Sequence, residues 1–459
     1  MLDVSVKDFL ALQQAEFVNI SDRVLKIRHI KGISIDSRTI EPQQVFWAIK
    51  GENFDGHTFI PDVTGKGALF SVMNRASYRS EIHARLPLLI VPDTLKALHE
   101  LARAHRLRYN IPVIAITGSN GKTTTKEMVA HIMQQKMTVH KTHGNRNNQI
   151  GCPLTVVEMN EMHKAAVFEL GTNQFGEIRV LSKIVEPNHA LITLVGDTHL
   201  EYLQDRDGVA REKLDLFRYM KAGATIYKNM DDPYIAAFHQ EGVREVTYGF
   251  EAPEVQVKGR LGRMDEMGCG QLILNENTTI SLKAPGWHNV RNALAAAAVT
   301  LNLGFSEQEI ASALSTYESF EKRMQVIHWN DCIILNDTYN ANPASMLLAM
   351  DTLMSMERGE KFMALGDMNE LGVQSEEMHV RVLRKALEHR PRHIFILGEK
   401  MSRAAEMLPP AGLKTITLCK SQHELAHKAS AMMKAGDILL LKASRGIQME
   451  KVLAGLPAE

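Results

Sequence analysis

Two side chains in this sequence have the types and neighbours to handle a phosphate and a divalent cation, Lys122 and Glu169, and two further signals, His199 and Lys213, follow them along the chain. Lys122 follows Gly118-Ser119-Asn120-Gly121, precedes Thr123-Thr124-Thr125, and comes just after the apolar run Val113-Ile114-Ala115-Ile116. A lysine behind a glycine turn can reach the outer phosphates of a nucleotide. The N–H groups of the turn can face the anion, and the Thr123 hydroxyl can hold Mg²⁺. The strict pattern puts its first glycine where this chain has Ile116; here the glycine falls at Gly118, so the loop is a variant. Glu169 closes the run Ala165-Ala166-Val167-Phe168, the place of a metal-holding carboxylate, although a capping or exposed carboxylate would read the same way. His199 lies just beyond the run Ala190–Val195, and Lys213 lies in a helical stretch, Gly208–Phe217. Taken alone, His199 reads as readily as a satisfied structural histidine, and Lys213 more readily as a solvated lysine. His143–Gly151 is polar and flexible, a loop long enough to meet a ligand.

The elements that must position these residues divide the chain into three α/β units, expected at 1–94, 95–317 and 318–459. In the first, Gly32–Arg38 and Val45–Ile49 read as strands, and Asp93–Tyr109 as an amphipathic helix leading onward. In the second, a buried strand, a glycine turn and the helix from Lys122 make the phosphate cradle. Further parallel strands end at Glu169 and before His199. Residues 222–285 alternate and predict a side sheet, and Asn289–Leu303 a close-packing alanine-rich helix. The third alternates strands at Cys332–Leu335, Phe362–Leu365, His393–Leu397 and Asp437–Leu441 with helices at Ala344–Met356, Ser375–Glu388 and Gln422–Lys434. That pattern is Rossmann-like, but no GxGxxG follows a strand, which disfavours dinucleotide binding.

Composition excludes several classes. Basic and acidic residues balance at 53 each among 459 residues, so no global charge argues for nucleic acid. The four cysteines have no CxxC spacing, which argues against a disulfide framework or a structural zinc site and fits a reducing compartment. MLDVSVKDFL has neither a basic nor an apolar leader region, and no apolar run is long enough to span a bilayer. A cytoplasmic protein is expected.

A specific resemblance runs along the same residues. TGSNGKTTTKEM (117–128), GNRNNQIGCPLT (144–155), ELGTNQFGEI (169–178) and THLEYLQDRDGVAREK (198–213) are similar to the central domain of the Mur ligases. GWHNVRNALAAAA (286–298), NDTYNANPASM (336–346), GDMNELG (366–372) and KASRG (442–446) continue the match in order. IDSRTI and DGHTFI near the start resemble the family's UDP-binding domain. The NANPASM and GNRNNQIGCPLT forms resemble the branch that adds D-alanyl-D-alanine to UDP-N-acetylmuramoyl-tripeptide. The neighbouring branch, which adds diaminopimelate or lysine, carries a DNPR-type motif where NANP stands here.

The resemblance implies ATP-driven amide formation through an acyl phosphate, in peptidoglycan precursor synthesis. It implies nucleotide contacts from Gly118, Ser119, Asn120, Gly121, Lys122, Thr123 and Thr124, with Asn292 at adenine and Arg323 and Asp337 reaching in from the C-terminal unit. Thr123 and Glu169 match ligands of a first Mg²⁺. His199 and Lys213 match a second Mg²⁺ site, where the lysine is carbamylated by CO₂. The chemistry is sensible, because a carbamate is an oxygen-donor anion and an ammonium repels the ion. Forming it needs the neutral amine, so burial must lower a lysine pKa that starts near ~10.4. Ser37 and Arg38 match the uridine pocket, while Asn147 and Asn148 face the muramoyl substrate. The implied partners are these small molecules only, with no nucleic acid and no membrane, and the chain is expected to be a monomer. Ala443 stands where the family usually has glycine, and Asp215 where glutamate is common. The charged segment 201–207 replaces a glycine- and serine-containing turn. Two alternatives remain at this point: a ligase of the same fold with another acceptor, and a nucleotide switch without turnover.

Overall fold

The computed structural model describes residues 1–457, and the expected α/β architecture is observed as three units, each built on one sheet. The first sheet has the spatial order Glu16–Val18, Leu88–Val91, Phe70–Asn74, Val45–Trp47, Ile33–Ser34. Its pairs are parallel except at the edge strand Glu16–Val18. The alternating stretch 32–38 is strand only at Ile33–Ser34, because the Asp36 carboxylate accepts the Arg38 N–H and bends the chain. The helix Thr94–Arg106 starts at Asp93, whose side chain accepts from Lys96 N–H. Its buried Leu98 and Leu101 share one apolar core with Trp47 and Phe70 on one side and Cys152 and Ile178 on the other. Trp47 Nε1 also donates to Thr94 O at 2.8 Å, so the first two units are joined through this helix.

The central sheet runs Thr278–Pro285, Cys269–Leu274, Val257–Met264, Arg244–Gly249, Thr225–Asn229, His189–Ile192, Val113–Thr117, Ala165–Glu169, Val139–Lys141. Residues 222–285 are therefore not a separate side sheet. Tyr248 pairs with Val257 in parallel, and this link carries the antiparallel meander into the main sheet. Val113–Thr117 lies between His189–Ile192 and Ala165–Glu169, all parallel. Three neighbouring strands thus deliver the glycine turn, Glu169 and the 193–199 segment to one carboxyl edge, where parallel sheets place their sites. The helices Lys122–Met133 and Trp287–Asn302 pack together over one face, with Ala293, Ala296 and Ala297 letting the backbones approach.

The third sheet runs Gln325–Trp329, Cys332–Asn336, Ile438–Lys442, Lys361–Gly366, His393–Leu397, Ile416–Cys419, parallel apart from the first pair. Gln325–Trp329 and Ile416–Cys419 were not expected from sequence. Both are edge strands with mixed exposure, so neither carries a continuous apolar run. All four cysteines are buried and free. Among the described residues, no helix is long and apolar enough to cross a membrane.

Candidate active site

The glycine turn has its shape because only glycine fits at two positions. Gly118 has φ +147°, and a Cβ there would lie 1.9 Å from Thr193 Oγ1; Gly121 has φ +81°, and a Cβ would lie 2.3 Å from Asn292 Oδ1. Asn292, on the neighbouring helix, is thereby seated against the turn. Lys122, Thr123 and Thr124 open a helix, so their N–H groups have no acceptor within it, and among the described residues none donates elsewhere. Together with the helix dipole they form an anion seat. Lys122 Nζ rests on the carbonyls of Gly118 (2.7 Å) and Ser119 (3.3 Å). Burial pushes its pKa down; the Glu169 charge opposes that shift and the Arg323 charge adds to it. Ser119 plays another part. Its N–H goes to Leu194 O, and its hydroxyl bridges Gly196 and Thr198, so it ties the turn to the segment that ends at His199.

Glu169 is buried, with one carboxylate oxygen accepting from Thr123 Oγ1 (2.7 Å) and the other from Asn147 Nδ2 (2.8 Å). Its N–H donates to Thr142 Oγ1 at 3.0 Å, and the fully buried Lys126 holds Thr142 O at 2.6 Å. Lys213 is also buried and, among the described residues, forms no ion pair. Burial first, then the charge of Lys122, holds its amine well below the ordinary lysine range, against the pull of Glu212. Glu212 accepts from Gly176 N–H (2.6 Å), Ile178 N–H (2.8 Å) and Thr172 Oγ1 (3.2 Å). It therefore fastens the segment after Glu169 to the helix Arg206–Arg218, which carries Lys213. His199 has φ +54°, and its Nδ1 lies 2.5 Å from Glu370 Oε2 of the third unit.

No group of three or more His, Cys, Asp or Glu that could hold a metal occurs among the described residues. The hydroxyl–carboxylate pair of Thr123 and Glu169 nonetheless fits Mg²⁺, which takes few protein oxygens and completes its shell with phosphates and water. A buried amine of lowered pKa likewise fits carbamylation, which consumes the neutral form.

From the third unit, the Arg323 guanidinium lies 3.9 Å above the Tyr339 ring, and its buried Nε has no acceptor. Asn342 Nδ2 donates to Asn120 Oδ1 at 2.9 Å, joining the third unit to the glycine turn. Asp337, expected at the nucleotide, has Lys442 Nζ 2.6 Å from one oxygen and accepts from Met324 N–H at the other at 3.2 Å. Ala443 is tolerated in the place of glycine because Gly366 faces it. Asn148 is exposed, and its Oδ1 accepts from Ile150 and Gly151 N–H where the next helix begins. Asn147, expected toward the muramoyl substrate, donates from its amide to Glu169. On the first unit, Arg38 grips Asp36 with two bonds and holds its pKa down to about 2, while Ser37 O accepts from Lys66 Nζ. Glu212, Glu370, Asn342 and Lys126 went unassigned in the sequence. All four lie inside the motifs quoted above, but their residue types alone mark no role.

Comparison with known proteins agrees with this geometry along the whole chain. Residues 116–300 match the Mur ligase middle domain, 322–445 the Mur ligase glutamate ligase domain, and 29–106 the Mur ligase family catalytic domain. The UDP-N-acetylmuramoyl-tripeptide--D-alanyl-D-alanine ligase of Bacillus subtilis (strain 168) is 33% identical over 435 residues, 93% of each chain. The Synechocystis protein of that name is 31% identical over 458 residues, 99% of this chain and 97% of its own. A crystal structure of MurF from Acinetobacter baumannii superposes with a TM-score of 0.87 at 30% identity, covering 99% and 98% of the two chains. MurF from Thermotoga maritima, in complex with ADP, gives 0.79 at 26%, covering 93% and 97%. With family models matched along its three units and relatives 31–33% identical over 93–99% of its length, the chain belongs to the Mur ligase family.

Proposed function

We propose that this protein is the ATP-dependent ligase that joins D-alanyl-D-alanine to UDP-N-acetylmuramoyl-tripeptide in peptidoglycan precursor synthesis. The observation that carries the reading is the gathering of Lys122, Thr123, Glu169 and Lys213 at one sheet edge, with Arg323 near enough to bear on the charge of Lys122. A carboxylate oxygen of the tripeptide attacks the γ-phosphorus, and the bond to the ADP oxygen breaks. The amine nitrogen of D-alanyl-D-alanine then adds to the acyl carbon, and phosphate leaves as the amine gives up its proton.

Catalysis of such a transfer is mostly positioning and charge neutralisation. The N–H groups of the turn and the Lys122 ammonium take the phosphates. Thr123 and Glu169 would hold a first Mg²⁺, while His199 and Lys213, the lysine as its carbamate, would hold a second. Bound there, Mg²⁺ would supply positive charge where phosphate charge moves in the transition state. Asn292, seated against Gly121, would contact the adenine, and Arg323 would bring a cation from the C-terminal side. Ser37 and Arg38 serve the uridine end, and Asn147 carries the Glu169 side toward the muramoyl substrate. The protein works as a cytoplasmic monomer.

Phosphate release from ATP, measured with each acceptor left out in turn, tests the reading. Release that needs both substrates and yields a pentapeptide by mass supports it. Release indifferent to both leaves an ATPase with another partner and overturns it.

A further inference from the structure

His199 is a candidate metal ligand on the central unit, yet the group nearest its ring belongs to the third unit. Glu370 Oε2 lies 2.5 Å from His199 Nδ1, off the line of the ring N–H, so a small rotation of either side chain completes the hydrogen bond. The backbone makes the same junction: Glu370 O accepts Glu201 N–H at 3.4 Å, and Gly372 packs against Glu201 Cα. Both residues hold left-handed backbone, φ +54° at His199 and +62° at Glu370, a conformation that persists only where the surroundings demand it.

Glu370 is also held firmly from behind. Met368 N–H donates to His379 Nε2 at 2.9 Å and Asn369 N–H to Ser444 Oγ at 2.9 Å, while Ser444 N–H donates to Asp367 O at 2.9 Å. Buried Met368 and Leu371 anchor the same turn in the core of the third unit. The carboxylate is therefore presented by a rigid support.

We propose that Glu370 is a positioning residue for His199. By accepting a hydrogen bond from Nδ1–H it fixes the tautomer whose Nε2 lone pair is free for a metal, so the second cation site is complete only when the third unit is seated. Metal-binding histidines commonly donate their other N–H to a carboxylate, and losing that partner weakens metal binding ~10- to 100-fold. The inference rests on the assignment of His199 as a ligand.

The test counts Mn²⁺ bound to the full chain, by electron paramagnetic resonance, with a non-hydrolysable ATP analogue present. Wild type should bind two ions. His199→Ala should lose one, which checks the ligand assignment separately. Glu370→Leu should keep the first site and weaken the second at least tenfold. Glu370→Gln keeps an acceptor for Nδ1–H and should recover most of that loss, whereas a role in charge alone would leave it as weak as Glu370→Leu. Equal melting temperatures for the two Glu370 variants exclude misfolding as the cause. Two unweakened sites in Glu370→Leu overturn the proposal. A wild-type count of one, or no change in His199→Ala, also overturns it, by removing the ligand on which it rests.

Discussion

Glu212→Gln should loosen one short segment without unfolding the rest. Glu212 is 2% exposed and spends one carboxylate oxygen on Ile178 N–H and Thr172 Oγ1, the other on Gly176 N–H at 2.6 Å. Glutamine keeps the volume and one acceptor. Its NH₂ must then face one of the two backbone donors, giving up one charge-assisted bond and leaving one buried N–H unpaired. That combination costs about 2–3 kcal/mol. The loss falls on the segment between Glu169 and the helix Glu177–Val185, whose opening then becomes easier by roughly 30- to 150-fold. Hydrogen exchange of the Gly176 and Ile178 amides should accelerate by that factor, while amides of the strand Val113–Thr117 keep their protection. Phosphate release should fall with it, since Glu169 and Lys213 lie on the two sides of this fastening. Exchange at Gly176 and Ile178 within threefold of wild type would refute the reasoning, as would an equal acceleration across the central sheet.

Gly118→Ala places a methyl where only 1.9 Å separates it from Thr193 Oγ1, at φ +147°; the strain of about 1–3 kcal/mol should displace the turn, and nucleotide affinity by calorimetry should fall at least tenfold. Asn342→Ala removes the 2.9 Å bond to Asn120. A net loss of about 1 kcal/mol shifts the seating of the third unit roughly fivefold, read as a larger radius of gyration in solution scattering, and an unchanged radius counts against the contact. His140 is held down to about 4 by burial, against ~6.5 unfolded. The unfolded chain thus takes the proton first as pH falls, so this contribution is complete above ~6.5 and lost towards 4, up to about 3 kcal/mol. His140→Gln removes the term, so the stability gap between variant and wild type in urea should narrow by about 2–3 kcal/mol from pH 7 to pH 4.5. A gap that stays constant would mean that His140 carries no such linkage.

The fold was legible at many places where local pattern and burial coincide, although the buried strands Phe70–Asn74 and Leu88–Val91 were not among those expected. Buried parallel strands such as Val113–Thr117 and Ala165–Glu169 are continuous apolar runs, and the turn between strand and helix is marked by glycines that nothing else can replace. The half-exposed edge strands Gln325–Trp329 and Ile416–Cys419 carry no such signal. Within the site, Lys122, Thr123 and Glu169 stand next to the elements that place them, so sequence distance was a fair guide. For Asp337 and Asn148 the structure adds bonds that no local pattern encodes, to Lys442 and to the backbone of Ile150 and Gly151. Glu370 and Asn342 meet their partners 171 and 222 positions away, Glu370 counted from His199 and Asn342 from Asn120. No local pattern encodes that.

These long-range contacts share one geometric origin. The central sheet sends out its glycine turn and its 193–199 segment from its carboxyl edge, and the third sheet sends out 337–342 and 367–372 from its own. Asn120 meets Asn342, and His199 meets Glu370, so the two carboxyl edges face each other. Arg323 lies in the connection between the units, flanked by left-handed Lys322 and Met324. Yet Tyr339 N–H donates to Lys322 O, and Met324 N–H to Asp337, which binds the connection to the third unit. Any rotation of that unit therefore carries Arg323 with it and changes the charge felt by Lys122. Asp337 belongs to the same geometry: with Lys442 at one oxygen and Met324 N–H at the other, it ties the residue after Arg323 to the end of the strand Cys332–Asn336.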